Sequence, residues 1–155
     1  MEISLNLSKK SFAVYGLGVT GKSVINFFEK RKIKKYQVWD DNKILRKNFT
    51  AKTLNFNKSL DKVDYIILSP GINIKNSKFK KKLISNKKKI ITDLDLFYLI
   101  YPKTKTIVVT GTNGKSTTCK VIEHLLKKNK KNVKIGGNIG KPILDIKIKR
   151  NLTII

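Results

Sequence analysis

Two glycine-rich loops, each lying between a short apolar run and an amphipathic run, place the strongest constraint on how this chain folds. Residues 16–23 read GLGVTGKS and follow the apolar SFAVY, and residues 111–118 read GTNGKSTT and follow TIVVT. A strand that enters a glycine loop and continues into a helix is a unit of α/β domains. The pattern therefore predicts a mostly parallel α/β sheet with right-handed crossovers.

The remaining apolar runs continue this alternation. We predict strands at SFAVYG (11–16), YQVWD (36–40), VDYIILS (63–69), KIIT (89–92), TIVVT (106–110), NVKIGGNIG (132–140) and NLTII (151–155). We predict four helices: Thr20–Lys32, burying Val24, Ile25, Phe27 and Phe28; one marked by Phe79, Leu83 and Ile84; DLDLFYLI (93–100); and one with Val121, Ile122, Leu125 and Leu126 on one face.

A boundary near Tyr101, just before Pro102, predicts two domains. Residues 1–101 form the first, and residues 102–155 begin a second with only three predicted strands. Three strands are too few to cover both faces of a parallel sheet, so we expect the second domain to be incomplete.

The first loop satisfies two descriptions. Its glycines spell G-x-G-x-x-G, the dinucleotide fingerprint, and its last residues complete G-x-x-x-x-G-K-S, the phosphate loop of nucleotide hydrolases. Asp40 lies 19 residues past Gly21, where a dinucleotide domain places its ribose-binding acid. The apolar run 63–69 ends in a serine and not in a magnesium-binding carboxylate. The sequence thus favours a nucleotide-diphosphate site near Gly18 and Asp40, with a glycine turn that binds nothing as the alternative.

The second loop predicts an ATP site with Mg²⁺. Lys115 would place its charge on the β- and γ-phosphates, and Ser116 would bind the metal ion through its hydroxyl. The predicted ATP-binding residues are Gly111, Thr112, Asn113, Gly114, Lys115, Ser116 and Thr117.

Five motifs together resemble the Mur ligases, the cytoplasmic amino-acid-adding enzymes of peptidoglycan synthesis. They are GLGVTG (16–21), SPGI (69–72), DLDLF (93–97), TGTNGKSTT (110–118) and GGNIG (136–140), and they are most similar to the D-glutamate-adding branch. The resemblance implies a Rossmann-like parallel-sheet domain that binds the uridine diphosphate of UDP-N-acetylmuramoyl-L-alanine, followed by a truncated P-loop-type α/β ATPase domain.

The resemblance also implies the substrate-binding residues. Beside Gly18 and Asp40, they are Val19, Thr20, Asp41, Asn42, Gly71 and Asn138. Asp41 and Asn42 stand where the family often has threonine and arginine, so a cation near the diphosphate is missing, and Lys22 or Lys43 would have to compensate.

The implied reaction is ATP-dependent amide formation through an acyl phosphate, with Lys115 as the catalytic residue and D-glutamate as the second substrate. Family members are much longer three-domain proteins that are typically monomeric. We therefore expect this chain alone to be inactive as a ligase.

Composition limits the other classes of function. The chain carries 35 basic and 10 acidic residues, a net charge of +25, which leaves a nucleic-acid-binding module open. Its basic residues include only three arginines, the usual readers of base edges, so we expect no specific nucleic-acid partner. A nicotinamide-dinucleotide enzyme is the other alternative. The absence of a signal-peptide pattern in residues 1–16 and of a long apolar run predicts a cytoplasmic protein without membrane insertion.

Overall fold

The computed structural model describes residues 7–155, so residues 1–6 of the predicted first domain lie outside the described residues. These residues form two compact units, 7–96 and 97–155. The division falls inside the predicted helix 93–100, five residues before the expected boundary at Tyr101. The assignment of functions to domains 1–101 and 102–155 stays a prediction.

The first unit is a four-stranded parallel sheet with helical crossovers. Its strands stand in the order β2-β1-β3-β4. Its elements are β1 (Phe12–Tyr15), α1 (Val19–Lys30), β2 (Tyr36–Trp39), α2 (Lys43–Arg46), α3 (Thr50–Thr53), α4 (Phe56–Ser59), β3 (Tyr65–Leu68), α5 (Lys80–Ser85), β4 (Ile90–Ile91) and the start of α6 (Asp93–Ile100). The parallel α/β fold predicted from the sequence is confirmed.

Strand β1 forms the centre of this unit. Each of its four residues is fully buried, because it pairs with β2 on one side and β3 on the other and both sheet faces are covered. On one face the Tyr15 ring lies edge-on to Phe56 and Phe79, at 5.8 Å from each ring centroid. This aromatic cluster lies beneath the carboxyl ends of the strands, where the first glycine loop begins.

The crossover from β2 to β3 differs from the expectation. The stretch after YQVWD carried no predicted element, yet it contains three single-turn helices, α2 to α4, and a 3₁₀ turn at Lys47–Phe49. Phe56 is its fully buried anchor, while Ile44 and Leu54 are more than 70% exposed. One apolar residue per turn gives too little periodicity for pattern analysis to detect. Ile84, predicted to face the core, is also exposed because α5 buries only Leu83.

The second unit is a three-stranded parallel sheet in the order β5-β7-β6. Its elements after α6 are β5 (Lys105–Thr106), α7 (Lys115–Lys128), β6 (Asn132–Lys134) and β7 (Leu152–Ile154). The number of strands matches the prediction, but TIVVT was placed wrongly. Only Thr106 of that run lies in β5, where it pairs with Ile154 of β7.

Helix α7 also buries a narrower face than predicted. Ile122 and Leu126 pack against the cluster around Cys119 and Val133, whereas Val121 and Leu125 are more than half exposed. Helix α7 packs against β6 on the side of Ile122 and Leu126. Within residues 7–155 no helix combines the length and the apolar character needed to cross a membrane.

Candidate functional site

The three glycines of the first loop lie in three different environments. Gly16 has a φ of +101°, and a Cβ atom there would lie 2.6 Å from the Cβ atom of Ser69. A Cβ atom on Gly21 would lie 1.8 Å from the carbonyl oxygen of Gly16, so α1 packs directly on the loop. At Gly18 a Cβ atom would meet nothing within 4 Å. The fingerprint requires these three properties: a tight turn, close helix packing and an open backbone for a pyrophosphate.

The open backbone of Gly18 lies at the N-terminus of α1. Gly18 is the N-cap residue and supplies no side-chain acceptor to the first turn. Val19 is 74% exposed and Thr20 is half-buried. The uncapped amide groups and the positive end of the helix dipole attract an anion at this point. The three residues predicted from the first loop therefore lie together at a position suited to a diphosphate.

The Lys-Ser pair that ends GLGVTGKS lies too far along α1 for a triphosphate loop. Because α1 begins at Val19, Lys22 and Ser23 are its fourth and fifth residues. Ser23 is only 3% exposed, and its Oγ has no hydrogen-bond partner within residues 7–155. A hydroxyl facing the core does not reach a hydrated metal ion. The environment of Ser23 favours the diphosphate interpretation of this loop.

Asp40, at the end of β2, is hydrogen-bonded to the glycine loop. Its Oδ2 accepts a hydrogen bond from the backbone N–H of Leu17 at 2.6 Å, and its Oδ1 accepts one from the N–H of Asn42 at 2.8 Å. A carboxylate has about four acceptor positions, so Asp40 retains the capacity to accept from ribose hydroxyls. Contact of Asp40 with a substrate hydroxyl stays a prediction.

The side chains of Asp41 and Asn42 are engaged within the protein. Asp41 accepts hydrogen bonds from the Tyr15 hydroxyl at 2.6 Å and from Trp39 Nε1 at 3.1 Å. Burial, and then the hydrogen bond to Asp41, raise the pKa of Tyr15 to about 12. Asn42 caps α2 by accepting from the N–H of Ile44 at 2.9 Å. Contact of Asp41 and Asn42 with a substrate stays a prediction.

Arg46 was not predicted as a site residue from the sequence. Its Nη1 donates to the carbonyl oxygen of Asp40 at 2.9 Å, and its guanidinium carbon lies 3.9 Å from the centroid of the Trp39 ring. The rarity of arginine was the available signal, since Arg46 is one of only three in a lysine-rich chain. The sequence had pointed to Lys22 and Lys43 as replacement cations instead.

The SPGI motif joins the same edge of the sheet. Ser69, which follows β3, donates from its Oγ to the carbonyl oxygen of Gly16 at 3.0 Å. Gly71 has no atom within 4 Å of a Cβ position, so its backbone is open. Strands β2 and β3 lie on opposite sides of β1, so the direction of the crossovers reverses at the end of β1. Ligands of parallel α/β sheets bind at such a switch point. Gly18, Asp40 and Gly71 all follow strands at this edge.

The second loop has a different helix start. Helix α7 begins at Lys115, and its N-cap Gly114 is left-handed with a φ of +78°. The N-terminal amide groups of α7 therefore belong to Lys115, Ser116 and Thr117. Ser116 and Thr117 are exposed, and so are Gly111 to Gly114. A helix start with exposed residues next to a lysine is a position at which phosphates commonly bind, and binding of ATP there stays a prediction.

Lys115 folds back over its own loop. Its Nζ donates to the carbonyl oxygens of Gly111 and Thr112, the latter at 2.9 Å. The ammonium group thus lies over the loop that would hold the phosphates. Within residues 7–155 no three His, Cys, Asp or Glu side chains cluster as metal ligands. Since Mg²⁺ is commonly bound through few protein oxygens together with phosphates, the exposed hydroxyl of Ser116 fits it only alongside a nucleotide.

Asn138 lies in the second unit, apart in sequence from the other predicted substrate residues. The run predicted as a strand over 132–140 is extended only in β6, and its glycines form a turn instead. Gly137 and Gly140 have φ angles of +114° and +81°, which favour glycine. Asn138 is exposed on this turn, and its contact with the muramoyl substrate stays a prediction.

Comparison with known proteins assigns both units. Residues 10–92 match the model of the Mur ligase MurD-like N-terminal domain, and residues 109–153 match the Mur ligase middle domain. The chain is 44% identical to a protein of Wolbachia sp. subsp. Brugia malayi (strain TRS), over 97% of this chain and 33% of the relative. It is 35% identical to one of Buchnera aphidicola subsp. Schizaphis graminum (strain Sg), over 96% and 34%.

A protein of Aquifex aeolicus (strain VF5) is 34% identical over 87% of this chain and 30% of its own length. All three relatives are named UDP-N-acetylmuramoylalanine–D-glutamate ligase, and the chain spans about a third of their length. The MurD-like model alone covers more than half of the chain. The resemblance expected from the motifs is therefore confirmed, and the chain belongs to the Mur ligase family.

Proposed function

We propose that this chain is the nucleotide-binding part of a cytoplasmic ligase that joins D-glutamate to UDP-N-acetylmuramoyl-L-alanine, using ATP. The first unit binds the uridine nucleotide at the edge formed by Gly18, Asp40 and Gly71, with Val19 and Thr20 at the start of α1. The second unit binds ATP through residues 111–117. Asn138 contacts the muramoyl part of the substrate.

The observation that carries the proposal is the presence of two different nucleotide loops in one chain. In the first, the helix starts at Val19, directly after the G-x-G residues, and the Lys-Ser pair begins three residues further along. In the second, Lys115 itself starts the helix. The first arrangement suits a diphosphate and the second a triphosphate. A ligase that activates a nucleotide-linked carboxylate with ATP needs both.

The chemistry explains why the ATP site is needed. The substrate carboxylate attacks the γ-phosphorus of ATP, and ADP leaves. The amine of D-glutamate then displaces phosphate from the acyl phosphate, giving the amide. Lys115 would hold the phosphates and offset the negative charge that develops, and Ser116 would contribute one oxygen to Mg²⁺. Magnesium, when bound, supplies further charge stabilisation to the phosphoryl transfer.

The deciding experiment is a calorimetric titration of the chain with UDP, NADH and Mg·ATP in turn. We expect binding of UDP and of Mg·ATP and no response to NADH. NADH binding without UDP binding would instead favour the nicotinamide alternative, for which the fingerprint and Asp40 are equally suitable. Salt-sensitive binding to DNA that survives Lys115→Ala, without UDP binding, would favour the nucleic-acid alternative.

We further propose that the chain by itself binds nucleotides without catalysing the ligation. Phosphate release in the presence of Mg·ATP, UDP-N-acetylmuramoyl-L-alanine and D-glutamate measures this. Release that depends on D-glutamate would contradict it.

A further inference from the structure

A cluster of one aromatic ring and two cations lies at the end of β2. The guanidinium carbon of Arg46 is 3.9 Å from the centroid of the Trp39 ring, and the Nζ of Lys78 is 3.8 Å from it. Arg46 is half-buried and also donates to the carbonyl oxygen of Asp40, whereas Lys78 is exposed. Arg46 is therefore the better fixed of the two cations.

Asp41 holds the ring of this cluster in place. It accepts from Trp39 Nε1 through Oδ1 and from the buried hydroxyl of Tyr15 through Oδ2. Tyr15 is in turn hydrogen-bonded to Ser77 at 2.9 Å. The Asp41 carboxylate is thus hydrogen-bonded to Tyr15 and to Trp39, and the Arg46 guanidinium lies over the Trp39 ring.

The charges at this edge require a cation. Asp40 and Asp41 place two negative charges at the end of β2, close to the glycine loop that Asp40 contacts through Leu17. A diphosphate brought to this loop would be repelled by them. Arg46 lies beside Asp40. Within residues 7–155 it uses one of its five N–H donors, in the hydrogen bond to the carbonyl oxygen of Asp40. The remaining donors form a planar fork of the kind that binds phosphate oxygens.

We propose that Arg46 binds a phosphate of the uridine nucleotide, and that Asp41 is a positioning residue that holds Trp39 against Arg46. The inference rests on the proposed binding of a uridine nucleotide and names the cation that this binding needs. Arg46 then supplies the cation that is missing at positions 41 and 42 after β2.

The test compares UDP and uridine binding by the chain and four variants. Arg46→Ala removes the fork and the charge, so we expect UDP affinity to fall about tenfold, the effect of losing a charge-assisted hydrogen bond. Uridine, which has no phosphate, should bind with less than about a twofold change, since it makes no such bond. Arg46→Lys keeps the charge but loses the planar fork, so we expect an intermediate loss of about threefold, smaller than that of Arg46→Ala.

Arg31→Ala is the matched control, because Arg31 also lies over an aromatic ring, that of Phe27, at the opposite end of α1. We expect it to leave UDP affinity unchanged. Asp41→Asn weakens the hold on Trp39 but also removes one of the two negative charges that repel a diphosphate, so UDP affinity should change by less than about threefold. The same substitution should also shift the fluorescence of Trp39, the only tryptophan in the sequence. If Asp41 only contacted the substrate and did not hold Trp39, no such shift would be expected in the free chain.

Each outcome decides a separate point. If the unaltered chain does not bind UDP, the proposed function fails and this inference falls with it. If the unaltered chain binds UDP and Arg46→Ala binds it equally well, only this inference fails. Equal losses for UDP and uridine would overturn the phosphate contact, and an Arg46→Lys variant as weak as Arg46→Ala would overturn the role of charge. An Asp41→Asn variant with unchanged Trp39 emission would overturn the positioning role.

Discussion

Replacing Gly21 by alanine tests whether the first loop is held by direct contact between helix and loop backbone. The added Cβ atom would lie 1.8 Å from the carbonyl oxygen of Gly16, whereas ordinary contact begins at 3.4 Å. The backbone would therefore have to separate by about 1.6 Å, the difference between these two distances. The obstacle is a peptide carbonyl and not the end of a flexible side chain, so little of this overlap can be relieved by a rotamer change.

The expected cost follows from two opposing effects. Overpacking against a rigid neighbour costs about 3 kcal/mol, the upper end of the usual range. Alanine is favoured over glycine within a helix by about 1 kcal/mol, which offsets part of that cost. We therefore expect Gly21→Ala to lower the free energy of unfolding of the first unit by about 2 kcal/mol.

Gly18→Ser is the matched control for this variant. It adds a larger side chain to the same loop, at a φ of −67° and with no atom within 4 Å of its Cβ atom. Serine is a good N-cap residue, so the free energy of unfolding should stay within about 0.5 kcal/mol of the unaltered chain. UDP affinity should nevertheless fall about tenfold, because the new side chain occupies the open face that a pyrophosphate would approach.

Urea unfolding followed by fluorescence measures both variants, since Trp39 lies in β2 of the same unit. With a slope near 1 kcal/mol per molar urea, the expected loss lowers the midpoint for Gly21→Ala by about 2 M. Equal midpoints for Gly21→Ala and the unaltered chain would refute the close packing of α1 on the loop. A Gly18→Ser variant as unstable as Gly21→Ala would show that the loop tolerates no side chain, and the open face would be refuted.

Three further predictions concern single side chains. The N–H of Ser11 donates to Asp64 and, as the first of several hydrogen bonds, holds the pKa of Asp64 at about 2, below its ordinary 3.8. The stabilisation is therefore complete above pH 3.8 and lost as the pH falls towards 2, so Asp64→Asn should cost about 1 kcal/mol in urea unfolding at pH 6 and nothing near pH 2. Tyr15 has its pKa raised from 10.0 to about 12, so it stabilises the folded chain below pH 10 and ceases to do so as the pH rises to 12; Tyr15→Phe should abolish that alkaline loss of stability. Lys115→Ala should weaken Mg·ATP binding by about tenfold or more and leave UDP binding unchanged in the same calorimetric cell, and an equal loss of both would contradict separate sites.

The parallel strands could be predicted because their signal is local. Phe12 to Tyr15 and Tyr65 to Leu68 are apolar, flanked by polar or glycine residues, and buried on both faces. Runs of this kind specify a strand wherever a partner is available. The prediction failed at Val108, which lies outside β5 and is 73% exposed, although the run 106–110 is as apolar as β1. Pairing partners distant in sequence are not visible in a local pattern.

Some residues of the candidate site could be predicted from local sequence patterns, and others depend on contacts that a local pattern does not show. The glycines, Asp40 and Lys115 could be predicted because fixed spacings in the sequence specify them. Arg46 could not, since its place beside Asp40 depends on the irregular turn that α2 makes after β2 and on the Trp39 ring beneath it. A single-turn helix has no periodicity from which to infer the direction of a side chain.

The ambiguity of GLGVTGKS has the same origin. The letters Gly-Lys-Ser occur twice in the chain, and the ligand that each can bind depends on where the helix begins relative to them. In α1 the helix starts three residues before Lys22, so Ser23 turns into the core. In α7 the helix starts at Lys115, so Ser116 stays in solvent. Gly21, the third residue of α1, lies against the carbonyl oxygen of Gly16, so the helix has already begun before Lys22. A change that moved this start, and not a change of Lys22 or Ser23, is what would be needed to convert the first loop into a triphosphate site.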